Sequence, residues 1–289
     1  MLTSYQGLRL LLVHAHPDDE TINNGATMAM YKSLGAEVTL VTCTRGEEGE
    51  VLVEDLAHHA AHINDTLGHH RETELANAMS ALGITDFRFL GEGVKNYRDS
   101  GMMGTEPNNR PECFWQADVV EAARHLVRVI DEIKPHVLVT YDEFGGYGHP
   151  DHIQTHRVAM KAAELSEWDI PKIYWNIMPR SVIQKGIDAM KSVGSDFMGA
   201  DKAEDLPFCK DDSFVTTCID GSAFVDHKMN AMKAHATQIT VDGPFFALSN
   251  SIGNQMWGDE YYTLVKGEKT APFDERQYET DLFSGISHE

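Results

Sequence analysis

"LLLVHAHPDDE", residues 10–20, runs an apolar stretch into two histidines, a proline and three acids. Four aliphatic residues without polar alternation read as a strand buried on both faces, as in the middle of a parallel sheet. Imidazoles and carboxylates are costly to bury unpaired. Gathered at one strand end, they point to chemistry. The next segments agree with a parallel strand. "NNGATMAMYKSLGAE" (23–37) has helical spacing, with Ala26, Met30 and Leu34 on one face and Gly35 as a stop. "EVTLVTCT" (37–44) reads as the second strand. The unit is β–α–β and its crossover is right-handed.

Working outward, residues 54–82 read as one long helical region closed by Gly83, and "DFRFL" (86–90) as a short strand. Residues 91–116 have no periodicity, and loops beyond about 12–15 residues are often functional. "ADVVEAARHLVRVIDEIK" (117–134) is an amphipathic helix, "PHVLVTY" (135–141) a buried strand, and "HIQTHRVAMKAAELS" (152–166) a helix. Further on, "KIYWNIM" (172–178) and "FVTTCID" (214–220) read as strands and "SAFVDHKMNAMKAHATQI" (222–239) as a helix; residues 195–212 give no clear pattern. The expected fold class is α/β: a mostly parallel, Rossmann-like sheet with helices on both faces. A smaller C-terminal α/β portion is expected to pack against it. The division expected is residues 1–170 for the metal-binding catalytic part and 171–289 for the portion closing the pocket.

The chain has 289 residues, with 45 acidic against 24 basic side chains and a formal net charge of −21. Nucleic acid and anionic lipid are repelled by such a surface, so a small-molecule partner is expected. The four cysteines, Cys43, Cys113, Cys209 and Cys218, form no CxxC pair and read as free thiols in a reducing compartment. The apolar run at residues 10–13 is too short for a signal core or a membrane span, and a cytoplasmic protein is expected.

In open parallel sheets, ligands bind beyond the carboxyl ends of the strands. Three polar loops fall there: "HAHPDDE", "TRGEEGE" and "DEFGGYGHPDH". No GxGxxG follows the first strand, which argues against a dinucleotide. His16 and Asp19 are three apart, so one turn can aim both at a point, and His152 opens the helix after the later strand. Two imidazoles and a carboxylate are a common composition of a catalytic zinc centre with room for water. Iron or cobalt are accepted by the same ligands. Asp18, beside ligand Asp19 but pointing elsewhere, is placed to take a proton from a metal-activated water. Asp151 is expected to orient His149 and hold it protonated, and Tyr147 to reach the oxygen of a tetrahedral intermediate. His14, inside the strand end, reads as a packed histidine. His58, His59, His62, His69 and His70 read as a solvated face.

"HAHPDDE" joined to "GHPDH" resembles the zinc-dependent N-acetylglucosaminyl deacetylases of the LmbE-like group. "VTCTRGEEGEV", "YRDSGMMGT", "KAHATQI", "ALSN" and "ETDLFSGI" resemble pieces of its mycothiol-pathway members. The resemblance implies one zinc per subunit held by His16, Asp19 and His152. It implies Asp18 as general base, and His149, Asp151 and Tyr147 around the oxyanion. Glu50, Arg71 and Asp99 match positions that grip sugar or inositol hydroxyls. The implied reaction is release of acetate from N-acetylglucosaminyl-inositol, a pseudo-disaccharide. The rival readings are an amidase of mycothiol S-conjugates and a non-catalytic sugar- or metal-binding module.

Overall fold

In β1 (Arg9–His14), Leu10 and Leu12 face one layer of the core and Leu11 and Val13 the other, all four fully buried. The computed structural model describes residues 4–192, 194, 199–240 and 258–287. β1 lies between two parallel neighbours, β2 (Glu37–Thr42) and β4 (Val137–Thr140), with Leu12 opposite Leu40 and Val139. The sheet order is β3-β2-β1-β4-β5-β8-β7, where β3 is Asp86–Phe89, β5 Lys172–Pro179, β7 Thr217–Asp220 and β8 Asp259–Lys266. Strands β1 to β5 are parallel, and β8 runs antiparallel to both β5 and β7. The two-residue β6 (Cys209–Lys210) pairs with the end of β5. One sheet therefore crosses residue 170.

Helices α1 (Asp19–Ser33), α2 (Leu67–Leu82) and α7 (Val225–Ala234) pack together on one face through Met28, Tyr31, Leu75, Met79 and Ala231. The opposite face carries α3 (Val119–Ile133) and α5 (Pro150–Leu165), joined through Leu126, Ile130, Val158 and Ala162. A four-residue turn, α4 (Gly145–Gly148), precedes α5. α6 (Arg180–Ser192) packs Ile183, Ile187 and Met190 on Leu206 and Cys209.

Two helical segments differ from their reading. The helix expected from residue 54 begins at Leu67: Glu54–His59 is a 3-10 turn with no buried residue, and Asp65 at φ 52° interrupts the chain. Without an apolar stripe to bury, that stretch has little to hold it helical. α7 stops at Ala234, because His235 turns inward to a buried carboxylate. α6 and β8 fall in stretches for which no element is expected from the sequence. The "ALSN" stretch (247–250) and part of 195–212 lie outside the described residues.

β2 and β3 extend from one side of β1, and β4 and β5 from the other. The order reverses beside β1, and the loops after β1 and β4 open a crevice there.

Candidate metal centre

The first loop is fixed by Asp19, whose Oδ2 accepts the His16 N–H at 2.9 Å. That same oxygen stands 3.3 Å from His16 Nδ1 and 3.3 Å from His152 Nε2. His152 reaches it from the first turn of α5, where Pro150 takes a position suited to its fixed φ. His152 Nδ1 lies 3.2 Å from the Gly145 carbonyl, which places the ring proton there. His152 Nε2 is buried with no hydrogen-bond partner among the described residues. A bare imidazole lone pair aimed at a carboxylate is a costly arrangement unless a cation shares the point.

The electrostatics agree. Burial opposes a charge on His16, yet Asp99, Asp151 and Asp19 hold its imidazole well above the usual range. Burial also opposes the Asp19 charge, but His152 and His16 hold it well below the usual carboxylate range. The pocket thus calls for positive charge at one point. His16 Nε2 faces Asp151 Oδ2 at 3.2 Å, the carboxylate-behind-imidazole arrangement typical of metal ligands. Among the described residues, the triads whose ligand atoms all lie within 4.8 Å of one another are His16 with His149 and His152, and His16 with Asp99 and Asp151; His16, Asp19 and His152 are not among them, and meet through the one Asp19 oxygen. Asp151 is already engaged by the Ser100 N–H at 2.8 Å and by the Ser100 hydroxyl. His149 Nδ1 is engaged by the Asp151 N–H at 3.1 Å. The Asp19 oxygen shared by the two imidazoles, with His152 Nε2 otherwise unpartnered, is the point where a divalent cation would meet His16, Asp19 and His152.

Asp151 does not pair with His149 as expected. Its carboxylate turns to His16 and Ser100, and only its backbone meets His149. His149 is also not held protonated. Burial, with His16 and His152 close by, pushes it down to about 2. With Nδ1 accepting the cap bond, the neutral ring carries its proton on Nε2. The half-exposed Tyr147 stands over the cluster, its ring 4.9 Å from that of His152. His14 is packed as expected, with Nε2 2.8 Å from Asn24 Oδ1 and Nδ1 3.1 Å from the Tyr141 hydroxyl.

Asp18 sits at the mouth of α1. Burial pushes its carboxyl up to about 6, against the pull of Arg71. Arg71 Nη2 lies 3.1 Å from Asp18 Oδ2 and also donates to the Pro17 carbonyl, while Nη1 donates to Gly46 O at 3.0 Å. Asp99 accepts the Glu48 and Gly101 N–H groups and lies 3.6 Å from His16. Arg71, Asp99 and Glu50 all line the cleft, but the polar atoms of the first two are largely engaged with the protein. The cleft measures about 690 Å³, and its far wall comes from Ile177, Met178, Leu206 and Phe208. Sequence reading missed these residues and Ser100: apolar wall residues carry no motif, and Ser100 acts through a carboxylate fifty-one positions away. His58, His59 and His70 stack on one another, with ring centroids 4.1 and 4.7 Å apart, away from the cleft.

A mostly parallel α/β sheet carries, at its switch point, a two-histidine, one-aspartate cluster with a buried acid beside it. A family model described as "PIG-L: GlcNAc-PI de-N-acetylase" matches residues 11–163, and the chain belongs to that family. It is 58% identical to a Catenulispora acidiphila protein named 1D-myo-inositol 2-acetamido-2-deoxy-alpha-D-glucopyranoside deacetylase 1, over 96% of this chain and 89% of that one. A Geodermatophilus obscurus deacetylase, named for the same compound, is 56% identical over 96% of this chain and 98% of its own. Among solved structures, the N,N'-diacetylchitobiose deacetylase of Pyrococcus horikoshii superposes with a TM-score of 0.55 at 18% identity, covering 90% of this chain and 84% of that one. The 4-carboxy-2-hydroxymuconate hydratase GalB of Pseudomonas putida gives 0.60 at 16%, covering 92% and 100%. A hydratase and a deacetylase on one scaffold mean that these likenesses speak for the fold alone. Among the described residues, no helix is long and apolar enough to cross a membrane.

Proposed function

We propose that this chain is a zinc-dependent deacetylase that hydrolyses the acetamide of N-acetylglucosaminyl-inositol to acetate and the free amine, a step of mycothiol biosynthesis. The observation that carries the substrate is the 58% identity, over 96% of the chain, to a relative named for that compound. The chemistry of the cleft supports the reaction type.

His16, Asp19 and His152 would hold one divalent cation, and two imidazoles with one carboxylate suit zinc. When bound, the cation supplies Lewis acidity, which lowers the pKa of a water at the site to about 7 and polarises an amide carbonyl. Asp18 is the general base: a carboxyl raised to about 6 is poised to accept a proton near neutral pH. Water attacks the acetyl carbon as Asp18 takes its proton. The tetrahedral anion meets the Nε2–H of neutral His149 and the Tyr147 hydroxyl, donors that need no charge of their own. Asp18 then returns the proton to the departing nitrogen. Asp151 keeps His16 oriented from behind. Glu50, with Arg71 and Asp99, shapes the end of the cleft that takes sugar and inositol hydroxyls.

The test is an assay of acetate release from N-acetylglucosaminyl-inositol beside a mycothiol S-conjugate, with metal per chain measured on the same sample. Acetate is the expected product, abolished by chelation and restored by zinc. Preference for the S-conjugate would make the chain an amidase, and bound metal without either product would make it a binding module. Asp18→Asn is expected to keep its metal and lose about 10²–10⁴-fold in kcat. A metal-free Asp18→Asn would instead make Asp18 a ligand.

A further inference from the structure

Asp18 has a backbone conformation that an L residue resists, φ 122° and ψ −34°. Such residues persist only where their surroundings over-determine them. Here the Asp18 carbonyl accepts the Thr21 and Ile22 N–H groups at 3.1 and 2.9 Å, as the α1 helix begins. The Asp18 N–H donates to Glu20 Oε2 at 2.9 Å. Glu20 is the contact that needs explanation. It is fully buried, and a carboxylate two residues along a helix is free to turn elsewhere unless its second oxygen is also held. Glu20 Oε1 accepts the Thr21 hydroxyl at 2.6 Å and faces His235 Nε2 at 3.0 Å. His235 is fully buried too, and its Nδ1 has no hydrogen-bond partner among the described residues. The bond to Glu20 is therefore an Nε2–H donation. Neither residue lines the cleft.

The His235 segment is itself anchored to the parts that surround Asp18. The Thr237 N–H and hydroxyl donate to Glu74 at 2.8 and 2.7 Å, and Glu74 lies on α2 with Arg71. Gln238 Nε2 donates to the Glu50 carbonyl at 3.1 Å. The stretch 235–238 thus ties α1, α2 and the Glu50 loop together beside the cleft, which Gln238 lines.

We propose that His235 is a positioning residue. Through Glu20 it locks the strained Asp18 peptide and so sets the direction in which the Asp18 carboxylate enters the cleft. The side chain leaves from the same Cα whose φ the Glu20 bond fixes, so a relaxed φ swings the carboxylate. This inference rests on the deacetylase reading, in which Asp18 carries the proton. A buried pair with only a structural task would lower stability when broken and leave the turnover of the folded fraction alone.

The experiment compares the zinc-loaded wild type with His235→Gln and His235→Asn, measuring acetate release, metal per chain and thermal melting. Gln carries its amide nitrogen at the reach of imidazole Nε2; Asn stops one bond short. The Gln variant is expected to retain most of kcat. The Asn variant is expected to lose about 10–100-fold in kcat, the range for groups that orient a site from behind, with KM and metal content unchanged. Wild-type kcat in the Asn variant, equal losses in both variants, or a loss carried by KM or metal content overturns the positioning role. Should the Asn variant not fold, Glu20→Asp decides instead: its shortened carboxylate leaves the Asp18 N–H, and undiminished kcat there overturns the proposal. A wild type that releases no acetate overturns the deacetylase reading, and the positioning role with it. An active wild type with an equally active Asn variant overturns the positioning role alone.

Discussion

Arg71 is the only cation within ion-pair reach of Asp18 among the described residues, and it is itself almost wholly buried. Its guanidinium spans two backbone carbonyls and a carboxylate, a planar fork that a lysine cannot reproduce. Removing one partner of a buried pair leaves the other charge uncompensated, which costs about 3–5 kcal/mol. Arg71→Met is therefore expected to lose about 3 kcal/mol or more of folding stability, read by urea denaturation. Arg71→Lys should fall between it and the wild type, since the charge returns without the second and third bonds. A Met variant as stable as the wild type would mean that Asp18 is protonated in the native protein. The gathering of His16, Asp19 and His152 at one point was legible in the sequence. His16 and Asp19 follow one buried run and His152 another, and a parallel sheet brings such run ends together. The Arg71–Asp18 pairing was not legible, because no local pattern marks a contact across fifty-three positions. Nor was the turn of the Asp151 carboxylate to His16, since a helix-opening "HPDH" does not say which neighbour an acid will choose.

At the scale of the element, α5 delivers His152, and the chain before it must let the helix begin close by. Gly145 has φ 65°, and a Cβ there would stand 2.6 Å from His152 Cβ and 2.7 Å from the Ile153 nitrogen. The obstacle is backbone and a side-chain stem, neither of which can swing aside. Gly146, at φ 72°, has open space where its Cβ would go. Both substitutions carry the cost of a left-handed residue, so their difference isolates the crowding. Gly145→Ala is expected to weaken metal binding by about 10–100-fold, since the same carbonyl also orients the His152 ring. Gly146→Ala should retain the wild-type affinity more closely. Competition against a chromophoric chelator measures both. Equal affinities would mean that α5 shifts as a unit and carries His152 with it. The glycine pair could be read as a turn, but not the role of one member as clearance for a ligand. Helix α2 teaches the complementary lesson. Residues 54–66 have helix-compatible composition, yet they bury no side chain in the 3-10 turn, so packing does not extend the helix to include them.

At the scale of the whole molecule, β4 pairs with β5 across residue 170, and one buried carboxylate ties β5 in turn to the antiparallel end of the sheet. Glu279 Oε1 accepts Lys172 Nζ and the Thr270 N–H, both at 2.7 Å; its Oε2 accepts the Tyr174 hydroxyl at 3.0 Å and the Thr217 hydroxyl at 2.9 Å. Lys172 and Tyr174 open β5, the strand parallel to β4, while Thr217 begins β7 at the sheet's far edge. A single side chain thus joins the parallel half of the sheet to its antiparallel end, and the C-terminal segment supplies it. The apolar strands of the first half could be read because both their faces are buried. β8 could not, since most of its residues are only partly buried and its partners, β5 and β7, are found by topology alone. If this joint is structural, cutting it should weaken the molecule as one body. Glu279→Ala strands the Lys172 ammonium in the interior and is expected to lower global stability by about 3–5 kcal/mol. Tryptophan fluorescence and far-ultraviolet circular dichroism should then report one coincident urea transition, displaced to lower concentration. Two separated transitions would mean that residues 171–289 unfold alone and that the cleft wall of Ile177, Met178, Leu206 and Phe208 can open while the metal cluster stays intact.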